Sequence, residues 1–349
     1  PLQRLAVRLL GSDRGAVVML DPRTGEVLVM ASTPTFDASG ISNPGTARQT
    51  FEELRGDEAS PLLNRATMGR YVPGSVFKIV TAIAGLGSGA LSPTTTYPEQ
   101  PAAAEDGLVV DGFTIRDAPR PFTLDQELDL LTATEVSSNI WYALAGLDTG
   151  GANLDSFARR LGFGDPLPFD LPTAPSQLTN GGGPLPGGFF DDVELANAAY
   201  GQGEVLTTPL QMALVAAAVA NGGELMEPRL VTARIDRQGR QTTIAARSMG
   251  RVLDASSNAA IVEAMTLAVE GLHGRLFTAG AKVPGVLTAG KSGTAETGVG
   301  APHSWFIGFA PADAPTVAIA VVVEQGGRGG ERASPLAGRM LRAYLEGQP

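Results

Sequence analysis

The sequence predicts an α+β fold, in which one antiparallel sheet flanked by helices is built from both ends of the chain and a helical subdomain is inserted between them. Three observations lead to this prediction. β-Rich apolar segments lie near both termini, the segments between them have helical periodicity, and the composition is globular, with 43% hydrophobic and 18% charged residues among 349. A chain of this length has ample apolar material for a core.

The two chain ends supply the predicted strands. Residues 1–13 contain the amphipathic run LQRLAVRLL and are predicted to form a linker helix before the domain. Residues 15–32 are two β-rich runs around DPRTG, a sequence typical of a turn, and they predict a β-hairpin. Residues 304–324 mirror this pattern with SWFIGFAP and TVAIAVVVE, and the helical period of ASPLAGRMLRAYLE follows them.

The middle of the chain is predicted to be mainly helical. The helical segments are 75–86, 127–146, 151–161, 191–201, 207–221 and 256–270. Two segments rich in acids, Gly or Pro, 49–60 and 180–192, are predicted to be surface loops. These assignments describe one domain with the following bounds: 14–349 for the whole, 14–60 and 280–349 for a sheet subdomain, and 61–279 for a mainly helical subdomain.

The composition argues against several classes of function. The 26 basic and 36 acidic residues give a formal charge of −10, which repels nucleic-acid backbones and anionic lipid surfaces. Cysteine is absent, so thiolate metal sites and cysteine nucleophiles are excluded. His273 and His303 are the only histidines, so few residues could supply the histidine of a Ser-His-Asp triad. The longest apolar run, from Met212 to Ala220, is too short to span a bilayer and suits a buried helix.

Lysine is rare in this chain. Of the 26 basic residues 23 are arginine, and only Lys78, Lys282 and Lys291 are lysine. Arginine stays protonated at any ordinary pH, whereas a desolvated lysine can lose its proton and act as a base. The three lysines are therefore the cations best suited to proton transfer.

The first lysine follows a serine at a spacing that suits nucleophilic catalysis. In YVPGSVFKIVTAIAGL a Pro-Gly turn precedes Ser75, and Lys78 lies three residues later on the same face of the predicted helix. A serine hydroxyl needs a neighbouring base, and without histidine a desolvated lysine can serve. The helix N-terminus would also favour a developing oxyanion. A capping serine followed by a solvated lysine fits the same pattern.

Two further motifs carry polar groups. Ser137, Ser138 and Asn139 precede an apolar helix in TATEVSSNIWYALAGL, where helix capping is the alternative interpretation. In AGKSGTAETG, which precedes the strand SWFIGF, Lys291 is interleaved with glycine and hydroxyl residues. Alternation along a strand would let ammonium and hydroxyl groups face a ligand, while a Gly/Thr turn with one exposed lysine is the alternative.

Together the three motifs resemble those of the transpeptidase domain of class B penicillin-binding proteins: a Ser-x-x-Lys, a Ser-x-Asn, and a Lys-Thr-Gly in which serine replaces threonine. The resemblance covers nearly the whole chain, through LDPRTGEVLVMASTPTFD, NRATMGRYVPGSVFKIVTA, GQGEVLTTPLQMA and the stretch from AGKSGTAE to HSWFIGFAP. It implies the β-lactamase/transpeptidase-like fold. It also implies a peptidoglycan D,D-transpeptidase that works by serine acyl transfer, needs no metal or cofactor, and is covalently inhibited by β-lactams.

The resemblance implies a role for each matching residue. Ser75 would be the acylated nucleophile, Lys78 its general base and Ser137 the proton shuttle to the leaving group. Asn139 would orient the substrate peptide bond. The remaining implied roles are recognition of the substrate carboxylate by Lys291, Ser292 and Thr294, and an oxyanion hole made by the backbone N–H groups of Ser75 and Thr294.

The partners that the resemblance implies are peptidoglycan stem peptides ending in D-alanyl-D-alanine, an acceptor amine, β-lactam antibiotics and cell-wall synthesis proteins. Such a substrate lies at the extracytoplasmic face of the bacterial cell membrane, so we expect an N-terminal membrane anchor outside this sequence. A serine β-lactamase and a non-turnover β-lactam sensor domain are the alternatives. The long interval between Asn139 and Lys291 favours the penicillin-binding protein.

Other residues near the motifs allow a functional and a structural interpretation. Trp305 could form a ligand wall, Tyr71 could serve as an alternative base, and Glu194 with Asn197 could correspond to the deacylating glutamate of class A β-lactamases. Core packing is the favoured interpretation for the two aromatic residues, and a solvated helix face for the other two.

Overall fold

The computed structural model describes residues 1–122 and 126–347. The strands are β1 (Gly15–Leu20), β2 (Val27–Thr33), β3 (Leu108–Val110), β4 (Phe113–Ile115), β5 (Glu224–Met226), β6 (Ala233–Ile235), β7 (Gln241–Thr243), β8 (Ser248–Arg251), β9 (Ala289–Ala295), β10 (His303–Ala310) and β11 (Val317–Val323). The α-helices are α1 (Leu2–Leu10), α2 (Ser39–Ser42), α3 (Ala47–Gly56), α4 (Lys78–Ser88), α5 (Gln100–Asp106), α6 (Leu130–Glu135), α7 (Asn139–Thr149), α8 (Gly151–Arg160), α9 (Asp192–Ala199), α10 (Pro209–Ala220), α11 (Ala255–Glu270), α12 (Arg275–Thr278) and α13 (Ala333–Leu345).

The main sheet joins the two ends of the chain. Within the described residues it has five strands in the order β2-β1-β11-β10-β9, and every neighbouring pair is antiparallel. In this register Gly15 of β1 lies opposite Thr33 of β2 on one side and opposite Val323 of β11 on the other. The prediction of an α+β fold with a sheet built from both termini is confirmed.

Both faces of this sheet are covered by helices. Successive side chains of a strand point to opposite faces. On one face, Val17 of β1 and Ile319 of β11 pack in an apolar cluster with α1 and α13. On the other face, Val18 and Ala320 pack with helices of the central segment. Because both faces are buried, β1 and β11 are apolar along their whole length instead of alternating.

Helix α10 lies against the inner face of the sheet. It packs on β1, β10 and β11 and is buried on almost every side, which explains why its sequence PLQMALVAAAVA is apolar all round. The interpretation of the run from Met212 to Ala220 as a buried helix is confirmed. In residues 1–122 and 126–347, no helix is both long and apolar enough to cross a membrane.

The segment predicted as one helix over 127–146 is two helices, α6 and α7, separated by residues 136–138. Ser137 has a φ of 60°, in the left-handed region that interrupts a helix. Ser138 then begins α7 as its cap, accepting a hydrogen bond from the Trp141 backbone N–H at 3.1 Å. Apolar periodicity continues through the break because both helices are buried in the same core.

Two other predicted segments differ in detail. The segment 49–60, predicted as a loop, contains most of α3, an exposed helix whose sequence ARQTFEELRG is rich in strong helix formers. The helix predicted over 75–86 begins as a 3-10 turn at Gly74–Phe77 and becomes α-helical at Lys78. The subdomain boundaries given above stay predictions.

Candidate active site

Ser75 lies in the 3-10 turn Gly74–Phe77, which leads directly into α4, and it is half-buried. The turn is clamped between two backbones. Gly74 has a φ of 56°, its N–H donates to the Gly201 carbonyl oxygen at 2.8 Å, and a Cβ added to it would lie 2.7 Å from the carbonyl oxygen of Thr294. Only glycine allows this approach, so the position of Ser75 relative to β9 is fixed.

Lys78 is fully buried and faces the turn between α6 and α7. Its Nζ donates to the Ser137 carbonyl oxygen at 2.7 Å and to Asn139 Oδ1 at 2.8 Å, and it lies 3.2 Å from Ser137 Oγ. Burial, together with the positive charge of Lys291, holds the pKa of Lys78 well below its usual value. A lysine whose pKa is lowered in this way gives up its proton more readily, and its free amine can act as a base.

Lys291 approaches the same hydroxyl from the sheet. It lies on β9 opposite Ile307 of β10, and its side chain is buried. Its Nζ donates to Ser137 Oγ at 2.8 Å and to the Ser292 carbonyl oxygen at 3.0 Å. Burial lowers the pKa of Lys291 to about 7. Ser137 Oγ therefore lies between two amines that can both exchange protons.

The backbone of Ser137 is held in a conformation that a serine adopts only at a cost. Its φ of 60° is unfavourable by about 1–3 kcal/mol for a residue other than glycine, and such strain is concentrated at functional sites. The conformation brings both the carbonyl oxygen and Oγ of Ser137 to the Lys78 amine. Asn139 completes the contact with Oδ1, while its Nδ2 donates to the Arg116 carbonyl oxygen at 2.9 Å.

An aspartate that the sequence analysis missed lies beside this turn. Asp117 accepts hydrogen bonds from Ser138 Oγ at 3.0 Å and from the backbone N–H groups of Asn139 and Ile140, the latter at 3.1 Å, and it pairs with Arg120. Asp117 precedes the turn by some twenty residues in a Pro- and Arg-containing segment that is typical of a solvated loop. Nothing in the sequence indicated this contact, because only the tertiary fold brings the two segments together.

Ser292 and Thr294 lie on β9, an edge strand of the sheet as described, next to the Ser75 turn. Ser292 is buried and Thr294 is exposed. Thr294 Oγ1 accepts from the Gly329 N–H at 3.2 Å, so its own proton is free to be donated. The Thr294 carbonyl oxygen faces Gly74. Because the N–H and C=O of one strand residue point to the same side, the Thr294 N–H points toward the Ser75 turn as well.

Three parts of the chain that are far apart in sequence thus meet at one site: the start of a helix, a helix break and an edge strand. They bring together Ser75, Lys78, Ser137, Asn139, Lys291 and Thr294. A family model described as the penicillin binding protein transpeptidase domain matches residues 15–343. The chain belongs to this family. The first 14 residues precede the match and include α1, which packs on β2 and α13.

Relatives of this transpeptidase domain agree with the assignment to class B. The peptidoglycan D,D-transpeptidase PbpA of Mycobacterium tuberculosis is 34% identical over 97% of this chain and 68% of its own length. The peptidoglycan D,D-transpeptidase MrdA of Acinetobacter baumannii is 30% identical over 95% of this chain and 51% of its own. A ceftriaxone acyl-enzyme complex of penicillin-binding protein A from M. tuberculosis superposes with a TM-score of 0.85 at 32% identity, covering 99% of this chain and 78% of that one.

Two aromatic residues that allowed a functional interpretation, Tyr71 and Trp305, have structural contacts in this transpeptidase domain. The Tyr71 hydroxyl donates to Glu324 at 2.8 Å, and burial beside that carboxylate raises the pKa of the phenol, which makes it a poor base. Trp305 is fully buried, and its Nε1 donates to the Val72 carbonyl oxygen at 3.0 Å. Core packing, the favoured interpretation of both aromatic residues, agrees with these contacts.

Glu194 is used in a loop contact. Its carboxylate accepts from Thr179 Oγ1 and from the Phe190 N–H, each at 2.6 Å, so it braces the segment before α9. In residues 1–122 and 126–347, no three His, Asp or Glu side chains are grouped closely enough to hold a metal ion.

Proposed function

We propose that Ser75 of this D,D-transpeptidase domain is the nucleophile that attacks the D-alanyl-D-alanine peptide bond of a stem peptide, that Lys78 and Ser137 move the protons of the reaction, and that Lys291 binds the substrate carboxylate. The observation that carries the proposal is the position of Ser137 Oγ between the amines of Lys78 and Lys291, at 3.2 and 2.8 Å. Lys78 itself lies three residues after Ser75. Serine acyl transfer needs a base, an acid and oxyanion donors, and this arrangement contains candidates for all three.

In the acylation step, the Ser75 hydroxyl gives its proton to the neutral Lys78 amine while Oγ bonds to the carbonyl carbon. The negative charge that develops on the carbonyl oxygen is stabilised by the backbone N–H groups of Ser75 and Thr294. Two N–H groups fixed before the reaction cost no reorganisation when the charge develops, and one such donor is worth about 10²–10³ in rate. The clamp around Gly74 supports this role because it fixes the Ser75 turn against β9.

When the peptide bond breaks, the departing D-alanine nitrogen needs a proton. Ser137 Oγ donates its proton to that nitrogen and is reprotonated by the Lys78 ammonium, which returns Lys78 to its neutral form. An acceptor amine from a neighbouring strand then attacks the Ser75 ester by the reverse route, loses a proton to the same relay, and releases Ser75. The product contains the new cross-link, and no proton is left over.

Substrate recognition falls to β9 and to the start of α7. The terminal carboxylate is bound by the Lys291 ammonium with the hydroxyls of Ser292 and Thr294, since a charge-assisted contact plus hydroxyl donors suits a carboxylate. The side-chain amide of Asn139 has two N–H groups on Nδ2. One of them donates to the Arg116 carbonyl oxygen, so the other can donate to the substrate peptide.

Intact mass spectrometry after exposure to benzylpenicillin tests the nucleophile. We expect one stoichiometric adduct on the unmodified chain and none on Ser75→Ala. Ser88→Ala is the matched control, because Ser88 ends the same helix and its hydroxyl bonds only to nearby backbone groups, the Gly85 carbonyl oxygen and the Ala90 N–H, among the described residues. A full adduct on Ser75→Ala would show that another residue is the nucleophile.

The lifetime of that adduct separates a transpeptidase from a β-lactamase. Hydrolysis of the Ser75 ester needs a second base aimed at water, and Glu194 is already engaged by Thr179 and Phe190. We expect the penicilloyl adduct to persist for many minutes to hours after free drug is removed. Return to the unmodified mass within seconds, with catalytic consumption of the drug, would indicate a β-lactamase.

The cellular setting follows from the substrate. Peptidoglycan lies outside the cytoplasmic membrane, so we propose that the domain works at the extracytoplasmic face, held there by an anchor outside this sequence and accompanied by other cell-wall synthesis proteins. The relatives PbpA and MrdA, whose names state a peptidoglycan transpeptidase activity, support this placement. Protease accessibility of the full-length protein in spheroplasts tests it, and protection of the domain would contradict it.

A further inference from the structure

A short segment before the helix break packs against the turn that directs Ser137 to the two lysines. The side chain of Asp117 in this segment is 5% exposed and that of Arg120 is 10% exposed, and the two form an ion pair. The Ser138 hydroxyl donates to the Asp117 carboxylate and lies within hydrogen-bonding distance of both of its oxygens, at 3.0 and 3.2 Å. The carboxylate also accepts hydrogen bonds from the backbone N–H groups of Asn139 and Ile140. One carboxylate therefore fixes the three residues that follow Ser137.

We propose that Asp117 is the positioning residue of the proton relay: it holds the Ser137 hydroxyl between Lys78 and Lys291 and, with Arg120, adjusts the charge that Lys78 experiences. The proposal rests on the function proposed above for Ser75 and Lys78, and it adds a residue pair that lies outside the three motifs.

The positioning follows from the strained backbone of Ser137. Its left-handed φ of 60° persists only where surrounding contacts determine it. Asp117 provides those contacts, because a carboxylate at the N-terminus of α7 accepts N–H groups that have no partner within the helix and interacts favourably with the helix dipole. Without the carboxylate, the turn is free to relax and Oγ moves away from the amines. A displacement of about 1 Å in such a site can cost about 10² in rate.

The electrostatic part follows from the groups around Lys78. Those that face it are Lys291 on β9, Asp117 and Arg120 in the segment before α6, the uncharged Ser137 in the helix break, and the uncharged Asn139 and the Tyr142 ring on α7. Asp117 favours the protonated form of Lys78 and raises its pKa, whereas Lys291 and Arg120 lower it. Removing Asp117 therefore lowers the pKa of Lys78, and removing Arg120 raises it.

The test is the pH dependence of the second-order rate of acylation by a fluorescent penicillin, measured on folded protein for Asp117→Asn, Arg120→Gln and a control. Asp254→Asn is the control, because Asp254 caps α11 by accepting the N–H groups of Ser256 and Ser257 and lies in none of the three motifs. We expect Asp117→Asn to acylate at least about tenfold more slowly at its optimum and to shift its acid limb to lower pH. Arg120→Gln should shift the acid limb to higher pH, and Asp254→Asn should shift neither limb.

Opposite shifts from the two variants cannot come from a general loss of stability. Acid limbs that stay at the wild-type pH in both variants, or that move in the same direction, would overturn the proposal. If the Asp117→Asn chain does not fold, Asp117→Glu, which keeps the charge, should keep the wild-type limb, and the Arg120→Gln limb decides the outcome. Failure of the nucleophile assignment is separate, because it would appear as acylation of Ser75→Ala.

Discussion

In residues 1–122 and 126–347, basic side chains are buried in two places, and their surroundings differ. Arg65 is 2% exposed, and its guanidinium donates to Glu324 at 2.7 Å and to the carbonyl oxygens of Ser60 and Ala59 at 3.0 and 2.8 Å. Among the described residues, the buried lysines of the active site form no ion pair and contact hydroxyl, carbonyl and amide oxygens instead. One cluster is fully compensated and the other is not.

The difference follows from the residue types: the buried arginine has a structural role, whereas the buried lysines can take part in proton transfer. Arginine cannot release its proton, so a buried arginine requires a counter-ion such as Glu324. Lysine can release its proton, so burial without a carboxylate yields a neutral amine at a pH where a free lysine is charged. The buried arginine therefore links strands and loops, while the buried lysines are available for proton transfer.

The largest effect is expected when a permanent cation replaces one of the buried lysines of the candidate active site. Lys78→Arg replaces an amine that can release its proton with a guanidinium that cannot, and so removes the base, and acylation by penicillin should fall by about 10²–10⁴ in second-order rate. A fluorescent penicillin measures this rate directly. Lys282→Arg, the same substitution at an exposed site, should leave the rate unchanged. A Lys78→Arg variant that acylates at the wild-type rate would exclude the base role.

The next largest effect is expected where the structural cluster loses its counter-ion. Glu324→Gln leaves Arg65 buried without a carboxylate, and breaking a buried pair in this way costs about 3–5 kcal/mol of unfolding free energy. Urea denaturation measures the loss. The folded fraction should still be acylated at close to the wild-type rate, and Glu346→Gln, which removes an exposed pair with Arg342, should unfold like the wild type. Wild-type stability of Glu324→Gln would contradict the contrast.

A smaller effect concerns the protonation of Lys291. Because burial lowers its pKa to about 7, the free enzyme loses this positive charge as the pH rises above that value. A carboxylate ligand prefers the protonated form, so its dissociation constant should rise with pH by up to about tenfold per unit above pH 7. Non-covalent binding of benzylpenicillin to Ser75→Ala measures this constant, with the penicillin methyl ester as the control. An equal pH dependence for the ester would assign the effect to another group.

The smallest effect is expected for the third lysine. Lys282 is half exposed and pairs with Glu270 at the surface, where solvent screens the interaction. Lys282→Gln should change the unfolding free energy by less than about 1 kcal/mol and leave acylation unchanged. Thermal denaturation and the penicillin assay measure both values. A large loss of acylation would mean that this exposed lysine also takes part in the chemistry, and a large loss of stability would mean that solvent does not screen its pair with Glu270.

The parts of the fold that local sequence determines were predictable. The apolar runs of β1 and β11 can be recognised in isolation, because strands buried on both faces are continuously hydrophobic. The same holds for α10, which is apolar all round. The break between α6 and α7 was not predictable, because it depends on a left-handed Ser137 that contacts from elsewhere in the chain stabilise.

The candidate site divides in the same way. Ser75 and Lys78 are three residues apart, so their relation follows from helix geometry, and the rarity of lysine indicated which cations to consider. Asp117 has no such local relation to Ser137, and its burial is a property of the packed segment alone. Likewise, Tyr71 lies close in sequence to Ser75, the proposed nucleophile, and only its contact with Glu324 explains why it is poorly suited to act as a base.

The pairing of β1 with β11 also governs how the chain must be made. Val323, the partner of Gly15, is translated about 300 residues after it, at a ribosomal rate of roughly 5–20 residues per second. Until then the apolar strand GAVVML has β2 on one edge and an open edge on the other, which is the geometry that invites association between chains. Maturation of this domain therefore waits for its C-terminal strands, and a chain cut short before β11 would lose the centre of its sheet and leave its first hairpin prone to aggregation.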